Sequence, residues 1–125
     1  MNGPLDFPYY RGYEAEQYAF YRIPKLLISD DRFRTISTDA KLLYGLMLDR
    51  MSLSIKNGWI DSEDRVYIYF PVEEVMELMN CKSEKATRML TELDSKKGIG
   101  LIERVRQGQG KPSIIYIKNF AAAQV

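Results

Sequence analysis

Basic and hydroxyl side chains recur between residues 82 and 91 beside apolar residues spaced three or four positions apart, which predicts a helix with one buried side. On the other side, Lys85 and Arg88 match the paired acceptors of a guanine edge, and hydroxyl groups can bind bases or phosphates. The candidate DNA-binding residues of this segment are Lys82, Ser83, Lys85, Thr87, Arg88 and Thr91. An ordinary solvated helix face has a similar composition and remains the alternative.

A second group of long polar side chains surrounds two glycines between two apolar runs. Residues 101–106 and 114–118 are typical of strands, and Gly108 and Gly110 permit the positive φ angles of a hairpin loop. The strands are therefore expected to pair antiparallel. The candidate DNA-binding residues of this loop are Arg106, Gln107, Gln109 and Lys111. A solvated turn without a ligand is the alternative.

The residue types argue against an enzyme and against a metal site. The 125 residues contain no His and one Cys, which excludes the Ser-His and Cys-His arrangements of nucleophilic catalysis and a structural zinc site. The loop glycines do not form a phosphate-binding loop, because Val105 replaces its first glycine and Pro112 its Ser or Thr. The acidic residues 61–64 are predicted to form a solvated loop. We expect no cofactor, no metal and no enzymatic activity.

The charge is distributed unevenly, although the net charge is only +1. Residues 81–118 contain nine Lys and Arg and four Asp and Glu, a net charge of +5, so the remaining residues carry −4. Such an asymmetry orients a protein toward a polyanion. The longest apolar runs are far shorter than the ~18 residues of a membrane span, so we expect a cytoplasmic protein.

The N-terminal third is predicted to contain an arm, a strand and a connector. Residues 1–17 combine Pro and Gly with four aromatic residues and lack periodicity, which predicts an arm that packs on its own domain or on a partner. The aromatic and β-branched residues 18–23 predict a strand that ends at Pro24. Residues 25–34 are expected to form an irregular connector. The aromatic residues of the arm are Phe7, Tyr9, Tyr10 and Tyr13.

The central part is predicted to supply the elements that support the two polar groups. A helix capped by Ser37 or Thr38 is followed by a strand at 66–70, whose three aromatic residues are expected to pack in the core rather than to stack on bases. Pro71 starts a short helix to residue 79, and Asn80 allows a tight turn. Ser83 is expected to cap the next helix, which continues to residue 97. The strand's aromatic residues are Tyr67, Tyr69 and Phe70.

The order of these elements is a helix, a strand, two helices joined by a tight turn, and a hairpin with a basic tip. It predicts an α+β fold of the winged helix-turn-helix type, in which the second helix of the pair enters the major groove and the hairpin is the wing.

The same residues resemble the plasmid replication initiators of the RepA N-terminal domain type. The resemblance extends over about residues 18–120, through FYRIPKLLI at 20–28, AKLLYG at 40–45, GLIER at 100–104, GKP at 110–112 and IYIKNF at 115–120. It implies a non-enzymatic domain that binds repeated duplex sites (iterons) at a plasmid origin as a homodimer. It also implies a separate C-terminal domain that contacts host replication proteins, so residues 121–125 are expected to begin a linker to a domain absent from this chain.

Two other functions remain open at this point. A winged helix can instead be a protein-interaction module, here through the arm and the acidic residues Glu73, Glu74 and Glu77. The same DNA-binding domain can also belong to a transcription regulator, and the residues alone do not distinguish a regulator from an initiator.

Overall fold

A computed structural model describes residues 3–12 and 19–122, and these form five α-helices and a three-stranded sheet, which the longest helix contacts at its first and third strands. The helices are α1 (Lys25–Ser29), α2 (Thr38–Met51), α3 (Ser54–Asn57), α4 (Val72–Met79) and α5 (Ser83–Leu93). The strands are β1 (Tyr67–Ile68), β2 (Ile102–Val105) and β3 (Ile114–Ile117). No helix in the described part of the chain is both long enough and apolar enough to cross a bilayer.

Helix α2 forms the centre of the core, as its sequence pattern predicts. The Ser37 hydroxyl caps it by accepting a hydrogen bond from the Ala40 amide at 3.1 Å. Ala40, Leu43, Tyr44 and Met47 are fully buried. The Tyr44 hydroxyl donates a hydrogen bond to the Lys118 carbonyl at 2.5 Å, which joins the helix to the residue after β3. The burial that surrounds it raises the pKa of Tyr44 to about 12.

Helices α4 and α5 form the predicted pair, but the limits of α5 differ from those predicted. Asn80 adopts a left-handed conformation (φ 52°) and ends α4. Ser83 is the first residue of α5 rather than its cap, because Lys82 occupies the capping position and makes no side-chain hydrogen bond there. The helix ends at Leu93, not at residue 97, since the Asp94 backbone is extended and its carboxylate binds the next amide. The buried side of α5 is the predicted one, Ala86, Met89, Leu90 and Leu93.

The strands have the order β1-β3-β2, and both pairings are antiparallel. Strands β2 and β3 form the predicted hairpin, with Arg104 opposite Ile115 and Val105 opposite Ile114. Strand β1 is shorter than predicted and ends at Ile68; just beyond it, the Arg50 guanidinium donates a hydrogen bond to the Tyr69 carbonyl at 3.0 Å. The α+β winged-helix architecture predicted from the sequence is therefore confirmed.

The aromatic residues around β1 divide between the two faces of the sheet. Phe70 is buried in the core as predicted, but Tyr67 and Tyr69 are only half-buried, and that part of the prediction is wrong. Because side chains alternate along a strand, Ile68 and Phe70 take the inner face. Tyr67 and Tyr69 pack edge to face on the outer face, next to Tyr116 and Trp59 respectively, with ring centroids 5.1–6.0 Å apart.

The N-terminal third differs most from the prediction. Residues 19–23 form no strand, and Tyr18 lies outside the described residues. The expected connector instead contains α1 and a 3₁₀ turn at Asp31–Phe33, which are held by the buried side chains of Leu27 and Phe33. Asp30 caps the turn through the Arg32 amide at 2.9 Å. Residues 3–12 form no helix or strand, and the arm residue Tyr13 lies outside the described part.

Candidate nucleic-acid interface

The outward side of α5 presents four of its six predicted residues to solvent. Lys82, Ser83, Thr87 and Arg88 are exposed, since the apolar residues of the helix take up the opposite side. Within residues 3–12 and 19–122, the Arg88 guanidinium makes no hydrogen bond or ion pair, and so it is available to a ligand. Arg88 lies two turns or less from the start of the helix, in the part that reaches base edges in a helix-turn-helix.

The other two predicted residues of α5 already have partners within the chain. The Lys85 amine lies 3.1 Å from the Asp39 carboxylate in the first turn of α2, and both side chains are about half exposed, 42% and 45%. The Thr91 hydroxyl donates a hydrogen bond to the Thr87 carbonyl at 2.9 Å, so only its acceptor sites remain available. Asp39 therefore neutralises Lys85 and competes with a phosphate or a base for its amine.

The wing loop presents most of its predicted residues at its tip. Gly108 and Gly110 have φ angles of 117° and 81°, a region that favours glycine, so the loop can turn tightly. Arg106, Gln109 and Lys111 are exposed, and the structure of the described residues gives their side chains no hydrogen bond or ion pair. Gln107 differs, because its amide donates to the Pro112 carbonyl at 2.8 Å and closes the loop.

A buried carboxylate joins α5 to the wing. Asp94, the first residue after α5, is 4% exposed and accepts hydrogen bonds from the Arg104 Nε and NH2 groups at 3.0 and 2.8 Å. It also accepts one from the Ser95 amide at 2.8 Å. Burial raises the pKa of Asp94, but the Arg104 guanidinium outweighs this effect and holds the pKa below its usual range. Sequence reasoning missed this pair, because an Asp ten residues before an Arg carries no periodic signal.

Two further acidic side chains stabilise the α2 ends rather than face a ligand. Glu92 of α5 accepts hydrogen bonds from the Ser37 amide and hydroxyl at 2.7 and 2.8 Å, at the start of α2. Glu74 of α4 is half-buried and pairs with Arg50 in the last turn of α2. The acidic residues considered above for a protein-interaction surface thus divide: Glu73 and Glu77 are exposed, but Glu74 is half-buried against Arg50.

The acidic loop after α3 is held by internal bonds. The Asp61 carboxylate accepts hydrogen bonds from the Arg65 amide and side chain, the Tyr116 hydroxyl and the Glu63 amide, which lower the pKa of Asp61 to about 2. Among the described residues, no three Asp, Glu, Cys or His side chains are grouped so that they could hold a metal ion.

The chain is similar in sequence to a family of replication proteins. The model of the family described as "Replication initiator protein A (RepA) N-terminus" matches residues 19–125. A "41 kDa protein" of Lactobacillus helveticus is 34% identical over 101 residues, which cover 78% of this chain and 28% of that protein. The chain thus spans little more than a quarter of the length of this curated relative.

Solved structures also resemble the chain over almost its whole length. A structure described as "N-Terminal domain of DNA binding protein" is 32% identical, with a TM-score of 0.75 and coverage of 95% of this chain and 88% of that one. One described as "Structure of Rep-DNA complex" is 32% identical, with a TM-score of 0.74 and coverage of 94% and 88%. A third, described as "Structure of MDR initiator", is 28% identical, with a TM-score of 0.70 and coverage of 94% and 90%.

Proposed function

Because this chain belongs to the family of replication initiator protein A N-terminal domains, we propose that it binds repeated duplex DNA sites, the iterons of a plasmid origin, as a homodimer. In this way it marks the position at which replication begins. The observation that carries the proposal is the Arg88 guanidinium, exposed and unbonded within the described residues, on the outward side of the second helix of a helix-turn-helix pair. A relative of the same fold, at 32% identity, is described as a complex with DNA.

In the proposed complex α5 reads bases and the wing holds the backbone. A guanidinium can donate two parallel hydrogen bonds to the acceptors of a guanine, which gives Arg88 the reading role. Ser83 and Thr87 flank it on the exposed side of the helix. Lys82, Lys85, Thr91, Arg106, Gln109 and Lys111 are assigned to phosphates, and Gln107 supports the loop through its bond to Pro112.

The test compares three alanine variants on the same DNA. The domain is titrated with fragments of its own gene and flanking DNA, against random duplex competitor, at two salt concentrations. Arg88→Ala should cost about 1–3 kcal/mol on the true site and relax specificity. Lys111→Ala should weaken binding to all sequences and flatten the slope of log K against log salt by about one unit. Lys56→Ala on α3 removes the same charge from an exposed site beyond the C-terminal end of α2 and should change neither.

The outcomes separate the candidate functions. Saturable binding to one repeated segment that survives competition supports an initiator if the segment lies at a replication origin, and a transcription regulator if it lies at a promoter. Equal losses from Arg88→Ala and Lys111→Ala on random DNA would contradict the division between base reading and backbone binding.

The arm is proposed to form the dimer contact. Leu5, Phe7 and Tyr9 are 71%, 75% and 88% exposed, and burying such side chains against a second copy would remove apolar surface from water. Deletion of residues 1–17 should halve the mass measured by sedimentation equilibrium, and replacement of Phe7 and Tyr9 by Ser should do the same. A dimer that persists after both changes would show that the interface lies elsewhere.

A protein-interaction module is the second candidate, and the exposed arm together with Glu73 and Glu77 favours it. A domain of this kind would bind no duplex specifically at low salt while it captures a replication protein. We also propose a linker that begins at 121–125 and leads to a C-terminal domain that contacts host replication proteins.

A further inference from the structure

One ion pair joins the end of α5 to the strand that leads to the wing tip, beside backbone hydrogen bonds nearer the helix. Asp94 follows the last residue of α5, and Arg104 lies two positions before Arg106 at the base of the wing tip. The Arg104 guanidinium donates two hydrogen bonds to one Asp94 carboxylate oxygen, at 3.0 and 2.8 Å. The other oxygen accepts the Ser95 amide at 2.8 Å and lies 3.4 Å from the Arg104 amide. One carboxylate therefore binds both the end of the helix and the strand that leads to the tip.

The Asp94 side of this ion pair is buried. Its side chain is 6% exposed, so water has little access to the carboxylate, whereas the Arg104 side chain is 33% exposed. A guanidinium is planar and presents its donors in a fixed arrangement, whereas a Lys amine at the end of a flexible chain does not. The ion pair therefore defines both the orientation of the Arg104 guanidinium relative to Asp94 and the distance between them.

The wing tip has no other hydrogen-bonded attachment to α5 among the described residues. Nearer the helix, the Ser95 amide binds the Ile102 carbonyl at 2.9 Å and the Gly98 amide binds the Asp94 carbonyl at 2.8 Å. Beyond Arg104, the bonds made by residues 106–113 stay within the loop, from Gln107 to Pro112 and from Lys111 to Gly108. Arg104 is thus the last point at which side-chain hydrogen bonds hold the hairpin against the helix.

We propose that Asp94 and Arg104 are a positioning pair, which sets the wing at the angle at which its tip and α5 contact one DNA duplex together. The proposal rests on the proposed function, because it assigns the geometry with which that function is performed. Neither residue touches DNA in this scheme. Their role is to place Arg106 and Lys111 on the DNA phosphate backbone in the same complex in which Arg88 reads a base.

The first test is a set of double substitutions measured on DNA. In the parent domain, Lys111→Ala flattens the salt slope by about one unit. In the Arg104→Met background, Lys111→Ala should flatten it by less than half of that, whereas Arg88→Ala should cause the same fold-loss as in the parent. A merely destabilised domain would instead scale all affinities by its folded fraction. An undiminished Lys111→Ala effect in the Arg104→Met background would overturn the proposal.

Two further variants separate the loss of the ion pair from a loss of folding and from a loss of charge. Arg104→Met leaves the Asp94 carboxylate buried without its cation, so the Asp94→Asn/Arg104→Met variant is measured beside it. Arg104→Lys keeps the charge but not the planar donor group, and it should restore part of the Lys111→Ala effect. Rescue to the full parent effect would show that charge alone suffices and would contradict the orienting role.

The second test needs no DNA. Residual dipolar couplings of the backbone amides measure the orientation of residues 106–113 relative to α5. The couplings of the loop should shrink in both Arg104→Met variants, while those of α5 keep their parent values. Unchanged loop couplings would overturn the proposal even if the domain binds DNA. A parent domain that binds no duplex would overturn the proposed function, and altered couplings would then still support a junction that orients the wing.

Discussion

Asp39 is expected to limit the affinity of the domain for DNA, because it holds the amine of Lys85 at 3.1 Å beside the outward side of α5. The perturbation is Asp39→Asn, which keeps the shape of the side chain and removes its charge. With both partners more than 40% exposed, the ion pair is worth only about 0.2–1 kcal/mol. Once Asp39 no longer neutralises Lys85, binding to any duplex should strengthen by up to about fivefold.

The salt dependence gives a sharper number than the affinity. If Lys85 stays with Asp39 in the parent complex, its release in Asp39→Asn should steepen the slope of log K against log salt by about 0.9 per protomer. If Lys85 already leaves Asp39 to bind a phosphate, the affinity should rise and the slope should stay the same. The preference for the specific site over random duplex should not change, because a phosphate contact is the same on every sequence. Fluorescence anisotropy with specific and random duplexes over several salt concentrations measures both quantities.

Asp49→Asn is the matched control for this prediction. It makes the same charge change on an exposed residue of the same helix, about 15 Å farther along the axis for ten residues of helical rise. It should leave the slope as it is. If Asp39→Asn changes neither slope nor affinity, the pair does not compete with DNA. If the gain is confined to the specific site, Lys85 reads a base and its assignment to a phosphate is refuted.

Three further predictions concern the stability of the fold that positions the interface. Tyr44→Phe should reduce the loss of stability at alkaline pH. Because the pKa of Tyr44 is raised to about 12, its neutral phenol stabilises the fold below pH 10, and this stabilisation is lost as the pH rises through 12. About 1.4 kcal/mol of it is lost by pH 11. Urea unfolding at pH 9 and 11 checks this, and a parallel decline in both proteins would contradict it. Gly98→Ala should cost about 1–3 kcal/mol, since a Cβ there would lie 2.1 Å from the Glu92 carbonyl oxygen; an unchanged melting temperature would show that the turn can shift. Met89→Ala should destabilise by about 2–5 kcal/mol through the cavity it leaves, against less than about 0.5 kcal/mol for the exposed Thr87→Ala, both measured by urea unfolding.

Local patterns in the sequence predict much of the fold and the outline of the site. The apolar spacing of α2 and α5 identifies their buried sides, because a helix repeats every 3.6 residues whatever lies beside it. Ser37, Asn80 and the wing glycines mark element ends through the conformations their own side chains permit. The resemblance to the RepA N-terminal family, carried by motifs spread over the chain, is confirmed by the family match to residues 19–125.

The errors lie where contacts between distant residues override local preference. An aromatic, β-branched segment at 19–23 favours a strand, but no neighbouring strand in the described structure pairs with it. The Ser83 hydroxyl and the residues after Leu93 favour a longer, capped helix, but the extended Asp94 ends α5 so that its carboxylate can bind Arg104.

The sequence by itself thus determined the order of α2, β1, α4, α5, β2 and β3, the buried side of each long helix and the two groups of polar residues that form the candidate interface. Only the tertiary structure decided which of those residues are available, since it pairs Lys85 with Asp39 and gives the side chains of Thr91 and Gln107 backbone carbonyl partners. The physical reason is that periodicity and capping act within a few residues of the chain. Ion pairs and buried hydrogen bonds form between whichever groups packing brings within about 3 Å.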